Sequence, residues 1–138
     1  MVRSLGDIPI VLEAFLTLAW VRLALRVMPH RVLRNVLAPA ANHPNRGEAA
    51  SITAVFQRVA RATPLAHTCM HRALALQRVL ARRGIAATLR IGLGRKPQLL
   101  PGHAWLEVDG TIVNDDPEVV ARYVPLTITE TALRMAYR

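Results

Sequence analysis

The first long apolar run, residues 8–28 (IPIVLEAFLTLAWVRLALRVM), carries hydrophobic side chains all round. On a 3.6-residue wheel Glu13 and Thr17 share one side and Arg22 and Arg26 lie roughly opposite, so no single polar face emerges. The pattern predicts a helix packed on more than one side, by the domain or by a partner. Asp7 is placed to cap it, Pro9 suits its first turn, and Pro29 ends it. The run has the length of a membrane span, but Glu13, Arg22 and Arg26 would each be costly in a bilayer. Glu13 also interrupts the apolar region a signal peptide needs, and no small-residue cleavage site follows. Membrane contact through residues 8–28 is the less favoured reading.

A short basic helix is expected over 31–37, then a Pro/Asn/Gly-rich loop over 38–47. Ile52, Val55, Phe56, Val59 and Ala60 recur at helical spacing and predict an amphipathic helix over 48–62, closed by Pro64. Thr68 then precedes CMHRALALQRVLARRG, in which Met70, Leu74, Gln77 and Leu80 keep the same period and Gly84 is the stop. Beyond it the period changes. Residues 87–93 alternate as a strand, 94–102 form a loop with Pro97 and Pro101, and 103–108 alternate again. In that second strand Ala104, Leu106 and Val108 share one face, with His103, Trp105 and Glu107 on the other. Asp109-Gly110 signals a turn, 111–115 a returning strand, 118–122 a short helix, and an extended piece and a tail follow. The loop over 38–47 is the expected boundary, dividing an N-terminal helical appendage with its loop (1–47) from a core (48–138). The fold class is α+β: a helix packed on a small antiparallel sheet.

The chain has 138 residues, 52% of them hydrophobic, enough for one domain with a real core. Eighteen Lys+Arg against nine Asp+Glu give a net charge of +9, and Lys96 is the only lysine. Such a surface attracts polyanions, yet no RNP, C2H2 or helix-turn-helix pattern accompanies the arginines, so nucleic acid is not favoured as a partner. A single cysteine excludes an intrachain disulfide and multi-cysteine metal motifs, and a reducing cytoplasm is the expected compartment. Cys69, His71 and His103 lack compact zinc spacing, and residues 92–96 lack the spacing of a phosphate loop. Neither a metal nor a cofactor is expected in the chain itself.

Cys69 follows a good N-cap and should sit in the first helical turn, where the backbone N–H groups and the helix dipole favour a thiolate. A cysteine nucleophile needs an imidazole, and the imidazole an orienting acceptor. His30 and His43 are expected on the solvent side, and His67 and His71 are too near Cys69 along the chain to face it. His103, opening a strand, is the candidate base. A strict two-residue turn at Asp109-Gly110 would set His103 opposite Asp116. A three-residue turn would pair Glu107 with Thr111 and set His103 opposite Asp115. The second register is preferred, with Asp115 as the orienting carboxylate and Asp116 in reserve; Asp109 is a turn former. The side-chain oxyanion donor stays open, with Thr68 and His67 as its candidates.

The run TCMHRALALQRVLARRGIAATLRIGLGRK, followed by GHAWLEVDGTIVND, resembles the transglutaminase-like (papain-like) cysteine peptidases of lasso-peptide biosynthesis, over about residues 48–123. The apolar N-terminal helix region is similar too. That family's Cys-His-Asp triad falls on Cys69, His103 and Asp115. The resemblance implies removal of the leader from a lasso precursor peptide. It also implies a stand-alone form, because the residues before 48 read as helices and not as a recognition domain. Such a form would act with a separate precursor-recognition protein and beside an ATP-dependent macrolactam synthetase. ATP dependence is implied by the resemblance alone. Two rival readings remain: an acyl transferase or amidase on the same fold, and a non-catalytic Arg-rich module binding polyanions or a membrane surface.

Overall fold

The computed structural model describes residues 8–27, 46–64, 68–95 and 102–126. Expectations for Asp7, Pro29, the helix over 31–37, most of the loops over 38–47 and 94–102, and the C-terminal tail lie outside the described residues. In chain order the elements are α1 (Ile8–Val27), α2 (Arg46–Ala62), α3 (Cys69–Arg82), β1 (Thr88–Gly94), β2 (His103–Val108), β3 (Thr111–Ile112), α4 (Pro117–Val120) and β4 (Tyr123–Leu126). The strands form one antiparallel sheet in the order β3-β2-β1-β4. The α+β class expected from the alternation of periods is the class observed.

One buried cluster unites the helices with one face of the sheet. Ile91 and Leu89 of β1 and Ala104, Leu106 and Val108 of β2 meet the buried face of α3. The buried residues of α3 are Met70, Ala73, Leu74, Ala75, Leu76, Gln77, Val79 and Leu80, more than one stripe, because the helix packs on α1 as well as on the sheet. Gln77, the polar member, donates from Nε2 to the Ala87 carbonyl (3.0 Å), tying the helix to the chain entering β1. Phe56 and Ile52 of α2 join the same cluster.

α1 enters it through Ala14, Leu18, Val21 and Ala24 and packs on both α2 and α3. Among the described residues Leu12, Phe15, Leu16, Leu23 and Val27, on the other side, are exposed. Glu13, half-hidden in this apolar helix, is paired with the end of α3: its Oε2 meets Arg83 at 2.6 Å, while its Oε1 is buried without a hydrogen bond and has Arg82 at 3.6 Å. Arg78 lies 4.5 Å from the centroid of the Trp20 ring and adds a cation–π contact along the same seam. Among the described residues no helix is long and apolar enough to cross a membrane.

The β2–β3 hairpin corrects the expected register. Asp109 (φ 51°) and Gly110 (φ 74°) both lie in the left-handed region, and Val108 faces Thr111 while Glu107 faces Ile112. This is the strict two-residue turn, not the three-residue turn that would pair Glu107 with Thr111. The physical reason is twist: two successive residues at positive φ match the right-handed twist of the flanking strands, and Asp-Gly is a sequence that tolerates them. The returning strand is also shorter than the expected 111–115, because β3 ends at Ile112.

Trp105, on the face of β2 away from Ala104, Leu106 and Val108, is also fully buried. Gly92 explains this. A Cβ there would stand 2.9 Å from the Trp105 ring and 2.8 Å from Cβ of Tyr123, so the bare glycine lets both residues close over β1. The indole N–H donates to Glu107 (3.2 Å), whose other oxygen receives Arg90 Nε (3.2 Å).

Candidate active site

Helix α3 begins as its sequence predicts. Thr68 is the N-cap in an extended conformation, and its Oγ1 accepts from the His71 N–H at 3.1 Å. The His71 ring is also hydrogen-bonded to Thr68 Oγ1. Both groups are thereby committed to the cap, and Thr68 is not free to serve as oxyanion donor; His67 lies outside the described residues. Cys69 is the first helical residue, half-buried, with its thiol on a cleft of about 180 Å³. The cleft walls include Phe56, Leu76 and Val119, with Arg72, Gln57 and Asn114 adding polar groups.

His103 opens β2 across from Gly92 and lines the same cleft. Its ring stacks on Tyr123 (centroids 4.9 Å, 29° between planes), and Trp105 lies next along at 6.1 Å and 26°. The ring therefore has an aromatic support that limits its rotation. Nε2 is hydrogen-bonded to Asp115 Oδ2, which leaves Nδ1 as the nitrogen able to serve the thiol. Asp115 Oδ1 accepts from the Asp116 N–H (2.8 Å). Asp116, the reserve carboxylate, is occupied elsewhere: its Oδ1 caps α4 through the Glu118 N–H (2.8 Å).

The electrostatics of thiol and imidazole are reciprocal. Burial pushes the Cys69 thiol up, but the hydrogen bond with His103, the backbone N–H groups of Ala104 and Met70 and the imidazolium charge together bring it below its ordinary value. The hydrogen bond with Cys69 raises His103 above its ordinary value. Burial opposes that rise, and Asp115 adds to it through its own hydrogen bond and charge. Both shifts favour a thiolate–imidazolium pair. Such a group can attack a carbonyl and then hand a proton to a leaving amine. Among the described residues no set of three or more His, Cys, Asp or Glu side chains is arranged to hold a metal ion.

The three residues singled out in the sequence, Cys69, His103 and Asp115, thus lie together on one cleft. Asp115 reaches His103 by a route other than the register that proposed it. Sequence reasoning missed Tyr123, Gln57 and Asn114. Tyr123 had a faint signal, an aromatic in an extended piece of a chain with two each of Phe, Trp and Tyr. Gln57 had none, being one polar position on an amphipathic helix.

A thiol at a helix start, facing an imidazole on an antiparallel sheet, defines an α+β domain of the papain-like kind. A sequence-family model for the transglutaminase-like superfamily matches residues 14–128, and the chain belongs to that superfamily. No curated protein and no solved structure gives a significant match. Members of the superfamily are generally cysteine peptidases or acyltransferases, so thiol-based acyl chemistry is the class of activity that membership suggests.

Proposed function

We propose that the chain is a cytoplasmic cysteine peptidase that removes the leader from a lasso-peptide precursor, working with a separate precursor-recognition protein and beside a macrolactam synthetase. The observation that carries the reading is the shared cleft, where a thiol below its ordinary pKa meets an imidazole above its own and a carboxylate on that imidazole. The substrate class rests on the resemblance of TCMHRALALQ and GHAWLEVDGTIVND to the leader peptidases.

In the reaction, His103 holds the proton of Cys69, and the thiolate attacks the carbonyl carbon at the leader–core junction. The Cys69 backbone N–H, in the first turn of α3, faces the developing oxyanion. The protonated ring gives its proton to the leaving amine as the C–N bond breaks. Water then attacks the thioester, His103 takes its proton, and the leader departs with a new carboxylate while the thiol is restored. Asp115 keeps the imidazole oriented and stabilises its charged form.

The test is incubation of the chain with a cognate precursor and recognition protein, followed by mass spectrometry. Two fragments whose masses sum to precursor plus water are expected. Cys69→Ala and His103→Ala should each abolish them, a loss of at least 10³-fold on the order seen for nucleophile or base removal. An amide product in place of the hydrolysed pair would reassign the chain to acyl transfer. Cleavage that survives Cys69→Ala would overturn the assignment.

A further inference from the structure

The two-residue turn sets a problem that the hairpin solves with a side chain. If the ladder that starts at Val108↔Thr111 and Glu107↔Ile112 ran on, Asp115 would lie across from Ala104. Strand side chains alternate between faces, so Asp115 would share the Ala104 face and point away from the His103 ring. It nevertheless bonds that ring. The ladder is broken at one place. The Val113 N–H still donates to the Leu106 carbonyl (3.1 Å), but the Leu106 N–H goes to Asn114 Oδ1 (2.8 Å). The Asn114 side chain fills the place of a strand carbonyl, which frees the backbone to bend. The bent backbone is fastened in turn from outside the sheet: Gln57 Nε2 of α2 donates to the Asn114 carbonyl (2.9 Å).

We infer that Asn114 and Gln57 are positioning residues for the acyl chemistry of this cleft, acting through Asp115 on His103. The inference rests on the proposed role of Cys69 and His103 as the reacting pair. Asn114 ends the ladder and directs Asp115 to the other face. Gln57 ties that bend to the helix lining the opposite side of the cleft. Without either tie the carboxylate would sample positions off the ring, and the imidazolium would lose the stabilisation Asp115 gives it.

The decisive experiment needs no peptide. The rate of Cys69 alkylation by iodoacetamide is measured against pH in the full chain. In the wild type the inflection should lie below that of an ordinary thiol. Asn114→Leu and Asp115→Asn should each move it upward, and Asn114→Leu/Asp115→Asn should move it no further than Asp115→Asn alone, because residues acting through one group are not additive. Asn114→Asp keeps the acceptor and should return the inflection toward the wild type. With a precursor that the chain cleaves as substrate, Asn114→Leu should lower kcat/KM by about 10- to 100-fold, the scale of a misplaced reacting group, and bring the basic limb of the pH profile to lower pH. Gln57→Leu should give the same signature at smaller size, and it is read in place of Asn114→Leu should that variant not fold. An inflection unmoved by Asn114→Leu and Gln57→Leu, or one moved equally with and without Asp115, would overturn the inference. A displaced wild-type profile in a chain that cleaves no precursor would sink the leader-peptidase reading and leave this one standing.

Discussion

Cys69 and His103 come to the same cleft by different means. The thiol is placed locally: Thr68 caps α3, the helix starts at the next residue, and the sulfur is fixed by the turn in which it lies. The imidazole is placed by long-range assembly. It depends on Gly92 across the sheet, on Tyr123 from β4 and on Asp115 beyond a broken ladder. A nucleophile built from four successive residues withstands damage elsewhere in the fold. A base built from three strands and a bend takes damage from any of them. The two halves should therefore respond very differently to substitutions of similar size.

Gly92→Ala should strike the hairpin half hardest. The added Cβ would stand 2.8 Å from Tyr123 Cβ and 2.9 Å from the Trp105 ring. Tyr123 Cβ is the root of its side chain, so backbone has to give, at about 1–3 kcal/mol for overpacking of this kind. Both rings that support His103 would move with it. The expected outcome is a fall in kcat/KM of about tenfold or more together with a lower denaturation midpoint, measured by peptide cleavage and chemical denaturation. A variant that loses stability but keeps its full rate would show that the aromatic support does not position the imidazole.

Thr68→Val tests the helical half with a near-isosteric change. It removes the acceptor for the His71 N–H and should lower stability by about 1 kcal/mol, as for loss of a helix N-cap. The thiol keeps His103 and the N–H groups of Ala104 and Met70, so kcat/KM should fall only a few-fold. A rate loss as large as that of Gly92→Ala would erase the distinction between the two halves.

The same contrast explains what could be read from the chain. The Thr68 cap and the start of α3, the alternation that makes β1 and β2 and the candidacy of His103 are short-range signals, and all were legible. Asp115 was named from a register that the hairpin does not adopt. What brings it to the ring is an Asn114 side chain standing in for backbone and a Gln57 tie from α2, and no local periodicity encodes either. The covered side of α1 was equally hidden, because apolar residues surround that helix and its single acid is accounted for only by Arg82 and Arg83 at the far end of α3. Nor does the alternation in β2 encode how the sheet's second face closes over Trp105, which rests on the bare Gly92.

The smallest effect is one of slope, and it couples the halves. A thiol lowered on folding contributes stability that is complete above its unfolded pKa and is lost as pH falls through the folded one. An imidazole raised on folding contributes stability that is complete below its unfolded pKa and is lost as pH rises through the folded one. Cys69 shifts down and His103 shifts up. Between the ordinary values of the two groups the thiol's shift makes stability rise with pH and the ring's shift makes it fall, so the two slopes oppose each other. The wild-type unfolding free energy should change less from one end of that window to the other than either shift alone would give. Cys69→Ser deletes the thiol's ionisation and, with it, the largest cause raising His103. The gain in stability as pH rises toward the thiol's ordinary value, about 8.5, should be lost in that variant, measured by denaturant titration at a series of pH values. A gain of the same size in Cys69→Ser and in the wild type would mean that folding does not lower the thiol and that the two halves of the cleft act apart.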